Sequence, residues 1–288
     1  MNVRKRGLPA GWYPEGRIET ESLLGSWRSG ESVGSVNARG STGMVVSVVV
    51  PHAGWYYSGE LAFFAIRRLA PPSTVVVVGG HLPAHDSVLV QLEDAAETPL
   101  EPLQTDTALR DAIIGEFAGS SDATPDNTVE IHLPIVKYLF PDVRFVGLRV
   151  SPTDIATRLG RYIADWSVAR SQTVAVIGST DLTHYGLAYG FSPHGDGPKA
   201  EHWAEQNDRR FLDALVSMDF AGALDAAQSR RAACSAGAAV VAGSFARACE
   251  IERGEIVGYE SSARKGNGGS FVGYGAVIYE KRDTIHRE

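Results

Sequence analysis

Apolar positions along this chain fall into two recurring patterns. Four short runs, Val45–Val50, Thr74–Val78, Arg144–Val150 and Val174–Ile177, are rich in β-branched residues and apolar at consecutive positions, as strands buried on both faces are. Between and beside them, Gly59–Leu69, Asp106–Phe117, Glu130–Phe140 and Asp154–Ala169 carry apolar residues at helical spacing. Strand and helix in alternation require crossover connections, and therefore a largely parallel sheet. After Gly197 the pattern predicts two further helices, roughly Ala200–Val216 and Ser235–Cys249. Two strand-like runs follow, Glu255–Glu260 and Phe271–Tyr279, which can pair as an edge hairpin or long ribbon and make the sheet mixed. Segments 192–198 (SPHGDGP) and 264–269 (RKGNGG) read as loops. The expected architecture is α/β: a single domain over 1–288 with three αβα layers around a central, mostly parallel, mixed β-sheet.

Composition narrows the function classes. The chain has 288 residues, ample for a sizeable core, and a net charge of −7. Its basic residues are scattered, without the stripe a phosphate backbone needs, so nucleic acid is not an expected partner. The opening MNVRKRGLPAGWYPEG is basic, but Pro and Gly stand where a signal peptide has its apolar core. Apolar runs such as Val45–Val50 are far too short to span a bilayer, so no membrane association and a cytoplasmic location are expected. The two cysteines, Cys234 and Cys249, form no CxxC pair, which argues against a disulfide framework or a structural zinc knuckle.

In open α/β sheets ligands bind beyond the carboxyl ends of the strands. Three of the four apolar runs end in loops that bear histidine: Val50 is followed by Pro51-His52-Ala53-Gly54, Val78 by Gly79-Gly80-His81, and Ile177 by a loop that reaches His184. One histidine at a strand end is usually a satisfied polar residue. Three at equivalent positions point to a metal, because neighbouring parallel strands lie about 5 Å apart and imidazoles from adjacent ends can converge.

Here the sequence resembles the Memo proteins, which include the B component of the AmmeMemoRadiSam system. The matching pieces are Ala10-Gly11-Trp12-Tyr13, VVPHAGWYYSG (49–59), VVVVGGH (75–81), NTVEIHLP (127–134), STDLTHYG (179–186), Cys234 before a small-residue helix, and GYGAVIY (273–279). The family's fold is similar to that of the class III extradiol dioxygenases, which hold non-haem iron between two histidines and a carboxylate. The resemblance implies His52, His81 and Cys234 as metal ligands and His184 as the acid-base histidine. Cys234 precedes a plausible helix start at Ser235-Ala236-Gly237, where helix dipole and metal both favour thiolate. Around His81 the chain reads Gly79-Gly80-His81-Leu82-Pro83, whereas the family more often places Gly-Pro-Ser or Gly-Pro-Asn before histidine; His85 is the alternative ligand.

Other residues take supporting roles. Asp181, three before His184, is expected to fix that ring's tautomer, a role compatible with capping a helix. Glu130 and His132, two apart, point in different directions on a helix, so one can face the site while the other packs. Tyr56, Tyr57 and Tyr185 are expected to line a substrate pocket, and His194, His202 and His286 to face solvent. Two imidazoles and one anion leave open positions of the kind iron(II) uses, while the thiolate also suits copper or zinc. The expected chemistry is oxygen-dependent oxidation of a small aromatic or peptide-like ligand by dioxygen. The alternative is a metal-binding, redox-protective or protein-binding module; oligomeric state is left open.

Overall fold

Strands without a polar face must be covered on both sides, and the four such runs form the centre of the sheet. The structure is a computed structural model that describes residues 1–30, 43–266 and 269–281, so His286 lies outside the described residues, as does part of the 264–269 loop. The sheet strands are β1 (Met44–Val50), β2 (Thr74–Gly79), β3 (Val88–Val90), β4 (Ser120–Ser121), β5 (Arg144–Val150), β6 (Val174–Ser179), β7 (His184–Tyr185), β8 (Glu255–Ser261) and β9 (Phe271–Lys281). They run in the order β7-β9-β1-β6-β2-β5-β3-β4, with β8 also paired to β9. β1, β6, β2 and β5 are mutually parallel, whereas β9 joins β1, and β3 joins β5, antiparallel. The sheet is therefore mixed, as expected. The C-terminal strands do pair antiparallel, but only β8 lies outside; β9 continues onto β1, which is why Phe271 to Tyr279 are buried without interruption.

The helices are α1 (Arg17–Ser29), α2 (Glu60–Ile66), α3 (Thr107–Phe117), α4 (Asn127–Glu130), α5 (Leu133–Leu139), α6 (Asp154–Ala169), α7 (Pro198–Val216), α8 (Phe220–Arg230) and α9 (Ala236–Ala248). Successive side chains of a strand point to opposite faces. Val75 and Val77 accordingly join α1, α2 and α5 in one core, while Val76 and Val78 join α3, α6, α7, α8 and α9 in the other.

Two expected helices differ. Gly59–Leu69 opens instead with a π-turn at Trp55–Gly59 and ends as α2 at Ile66. Glu130–Phe140 splits into α4 and α5 around Ile131-His132, because Pro134 has no N–H for the carbonyl of Glu130 and its ring crowds that turn. Among the described residues no helix is long and apolar enough to cross a membrane.

Helix α9 lies unusually close to the sheet because its inner face is built of Ala, Gly and Val. A Cβ on Gly178 of β6 would stand 2.5 Å from the Ala238 carbonyl oxygen, and one on Gly160 of α6 would stand 2.5 Å from that of Val241. Both glycines are required by backbone approach. That contact sets the start of α9 against the end of β6. Gly178→Val is expected to lower stability by roughly 1–3 kcal/mol, the usual cost of overpacking, measured by urea unfolding; an unchanged midpoint and slope would contradict the contact.

Candidate metal centre

β1 and β2 are not neighbours, for β6 lies between them. With strands about 4.8 Å apart, their ends are separated by about twice that distance. His52, two residues beyond β1, and His81, two beyond β2, lean inward over the end of β6, and their rings meet edge to face with centroids 5.1 Å apart. Cys234 arrives from the loop before α9 and brings Sγ to 3.2 Å from His52 Nε2. One donor atom from each of the three lies within 4.8 Å of the others. His85 is exposed and stands outside this group.

β6 supplies the support between the two histidines. His52 N–H donates to Asp181 Oδ1 (2.7 Å), and Ser179 Oγ lies 2.9 Å from His52 Nδ1. Cys234 N–H donates to the Asp181 carbonyl (3.2 Å) and Ser235 N–H to Thr180 Oγ1 (3.1 Å), so the cysteine loop is tied to the same strand end. On the other side, His81 Nδ1 lies 3.0 Å from Asp126 Oδ2. Arg149 grips Asp122 through two hydrogen bonds and reaches Asp126 at 3.5 Å. His81 adopts φ +57°, a left-handed conformation that few non-glycine residues take.

The donor set fits a metal. Zinc–nitrogen and zinc–sulfur bonds of about 2.0–2.3 Å place tetrahedral ligand atoms about 3.5 Å apart, near the 3.2 Å between Cys234 Sγ and His52 Nε2. His81, with Nδ1 engaged by Asp126, has Nε2 left to offer. Burial alone would raise the Cys234 thiol pKa, but His52 and His81 hold it well below the thiol range. Burial works against charge on both rings too. Asp181 and Cys234 nevertheless keep His52 raised, and the hydrogen bonds to Asp126 and Cys234 lift His81 to about 10. These shifts favour thiolate beside protonated imidazole, and a cation can take the place of such protons.

Next to the donors is a cavity of about 470 Å³ that His52, His81, Asp181 and His184 all line, together with Trp12, Tyr56, Tyr57, Asn127, Tyr189 and Tyr274. His184 enters it from β7, with Nδ1 donating to the Leu182 carbonyl (3.0 Å) and its ring edge on Tyr189. Several expected roles change. Asp181 serves His52 rather than fixing the His184 tautomer, and no helix follows it to be capped. Tyr185 does not line the cavity: it is fully buried, stacked on Phe271, with its hydroxyl donating to the Gly195 carbonyl. Glu130 turns away to accept from Gly7 N, Leu8 N and the Tyr13 hydroxyl, so it ties down the N-terminal segment. His132 turns the other way and is buried behind His52, where burial and His52 push its pKa down to about 3. Tyr56 and Tyr57 do line the cavity, Tyr56 at its exposed rim. His194 and His202 face solvent, as expected.

Sequence reasoning did not single out Ser179, Asp126, Tyr189 or Asp208. Ser179 and Tyr189 lie within or just after the STDLTHYG stretch, so closer attention to that motif could have found them. Asp208 of α7 is a fully buried carboxylate that accepts from Thr183 N (2.9 Å) and the Tyr259 hydroxyl (2.8 Å), and so anchors the His184 loop.

A profile of the family described as Memo-like protein matches residues 4–278. A MEMO1 family protein of Methanopyrus kandleri is 26% identical over 247 residues, 81% of this chain and 83% of that one. One of Pyrococcus abyssi is 25% identical over 296 residues, covering 97% and 100%. Among solved structures, an uncharacterized protein of Escherichia coli K12 superposes with a TM-score of 0.55 at 12% identity, over 81% of this chain and 99% of its own; that likeness concerns the fold.

Burial pushes the pKa of Asp208 up to about 7, against about 3.9 for an unfolded aspartate. Between those values the folded chain holds a proton that the unfolded chain has lost, so this group's contribution falls as pH rises from about 4 to about 7. Asp208→Asn is therefore expected to gain stability relative to wild type across that window, by an amount on the order of a few kcal/mol. Urea unfolding at several pH values measures the difference; a pH-independent difference would contradict it.

Proposed function

Because this chain belongs to the Memo-like protein family, we propose that it is a mononuclear metal protein whose ion is held by His52, His81 and Cys234, with iron(II) preferred to copper or zinc, and that its cleft serves the dioxygen-dependent oxidation of a small aromatic ligand. The observation that carries this reading is the convergence of three donors from separate chain segments over the end of β6. Iron(II) held there would supply Lewis acidity toward an aromatic diol and one-electron chemistry toward dioxygen. Ring opening that places both oxygen atoms in the product needs no further reductant.

The chain's own residues have definite tasks in this reading. His184, whose Nδ1 proton is committed to Leu182, has Nε2 free to take a proton from a ligand hydroxyl and return it later. Trp12, Tyr57, Tyr189 and Tyr274 give the cavity aromatic walls, and about 470 Å³ suits one substituted ring better than a large ligand. Asp181 keeps a carboxylate against His52 without occupying a donor position.

A second reading is favoured by the sulfur. A thiolate is oxidisable where the ring-cleaving enzymes present a carboxylate. A wider groove of about 650 Å³, walled by Trp12, Trp27, Trp55, Tyr57 and Phe64, adjoins the cleft and would suit an apolar peptide side chain. In that case the protein holds metal and binds a partner without turnover.

Metal analysis after anaerobic purification is expected to find about one ion per chain, strongly reduced in His52→Ala and Cys234→Ala. Dioxygen uptake with a panel of catechols is expected for the iron-loaded protein and absent in His184→Ala, with its metal retained. Metal bound normally by wild type without uptake on any catechol would leave the second reading; metal retained in full by both ligand variants would overturn the site. Because bound metal displaces ligand protons, affinity is also expected to rise with pH until His81 loses its proton, at about 10, measured by competition with a chelator of known proton affinity; affinity that falls with pH below that point would contradict the donor set.

A further inference from the structure

His52 has two ring nitrogens, and only one can meet a metal. Nε2 points at Cys234 Sγ (3.2 Å), while Nδ1 points at Ser179 Oγ (2.9 Å). The same Ser179 oxygen lies 2.9 Å from His132 Nε2. All three residues are fully buried, so no solvent competes for these contacts. A hydroxyl has a single proton to give, and a neutral imidazole has one donor and one acceptor nitrogen. With both rings neutral, the chain His52–Ser179–His132 therefore has two arrangements in which the serine proton serves one of its two contacts.

In one arrangement His132 Nε2–H donates to Ser179, whose proton goes to His52 Nδ1; the His52 proton then sits on Nε2 and blocks the donor position. In the other, His52 Nδ1–H donates to Ser179 Oγ, Ser179 donates to His132 Nε2, and His52 Nε2 keeps a free lone pair. His132 then carries its proton on Nδ1; no described residue hydrogen-bonds to that atom, so its tautomer is decided at Ser179 and, through Ser179, by whether an ion sits on His52 Nε2. The other histidine of the group has a different support, the carboxylate of Asp126.

Building on the metal reading above, we propose that Ser179 and His132 are positioning residues that act as a neutral relay: they hold the His52 proton on Nδ1 and turn Nε2 to the ion. By hydrogen bond, His132 reaches the donor group only through Ser179. Loss of a hydrogen-bond partner that orients a metal ligand typically changes metal affinity by about 10- to 100-fold. The relay also explains why a buried histidine with no charged partner stands behind the site.

The test uses cobalt(II), titrated into the metal-stripped full-length protein and followed by its thiolate and d–d absorption bands. Ser179→Ala and His132→Leu are each expected to weaken cobalt binding by about 10- to 100-fold and to shift the d–d bands. His132→Gln, whose amide oxygen can accept from Ser179, is expected to return affinity to within a few-fold of wild type. Because the two act in series, Ser179→Ala combined with His132→Leu is expected to be no weaker than Ser179→Ala alone. Wild-type affinity and spectrum in a folded Ser179→Ala protein would overturn the relay, as would fully additive losses in the double variant. Should His132→Leu fail to fold, the Ser179→Ala and His132→Gln titrations decide alone. Cobalt that fails to bind wild type would instead overturn the metal reading, and the relay with it.

Discussion

The close seating of α9 on β6 at Gly178 is the contact on which the site depends. A side chain there would lift the helix from the sheet, and with it the loop that carries Cys234. Because backbone meets backbone, the helix start is registered against the strand end, and the hydrogen bonds from Cys234 N to the Asp181 carbonyl and from Ser235 N to Thr180 Oγ1 complete the registration. Strand order does the rest. With β6 between β1 and β2, the loops bearing His52 and His81 approach from opposite sides, and the middle strand end furnishes Ser179 and Asp181 as supports. The division of labour among the strand ends thus follows from their order in the sheet.

The electrostatics of the group follow from proximity. Burial works against charge on the thiol and on both rings, but beside one another each charge is worth more than alone, which favours thiolate next to imidazolium. Asp126 adds negative charge beside His81, and Arg149, which also binds Asp122, meets it from behind; Asp181 stands beside His52 on the other side. A cation entering this pocket replaces protons rather than creating a new charge in a dry place. A thiolate would set the proposed metal site apart from the two-histidine, one-carboxylate sites that the sequence resemblance suggests, and it leaves room for more than one metal.

Much of this was legible in the sequence, for reasons that can be named. The four central strands have no polar face, so their position could be read from apolar residues alone, and Asp154–Ala169 coincides with α6. His52 and His81 were visible as strand-end residues, and Cys234 through the resemblance. What escaped notice depends on tertiary geometry. Strand order is not written in periodicity, so β6 could not be placed between the two histidines. Pro134 was present in the chain, yet only the folded backbone sends Glu130 outward to the N-terminal segment and His132 inward to Ser179. Tyr185 looked like a pocket residue because it follows His184, but β-strand alternation turns it into the core beside Phe271. Helices α1 and α8 were not foreseen: α1 has three buried residues in a strongly charged segment and α8 only two, too few for a clear apolar stripe.

At the centre of the proposed site, sulfur and two imidazoles share a single ion. X-ray absorption at the metal edge of the zinc-loaded protein addresses it directly. The prediction is a shell of one sulfur at about 2.3 Å with two imidazole nitrogens at about 2.0–2.1 Å, the sulfur contribution vanishing in Cys234→Ser. A shell of oxygen and nitrogen alone in the wild-type protein would contradict it.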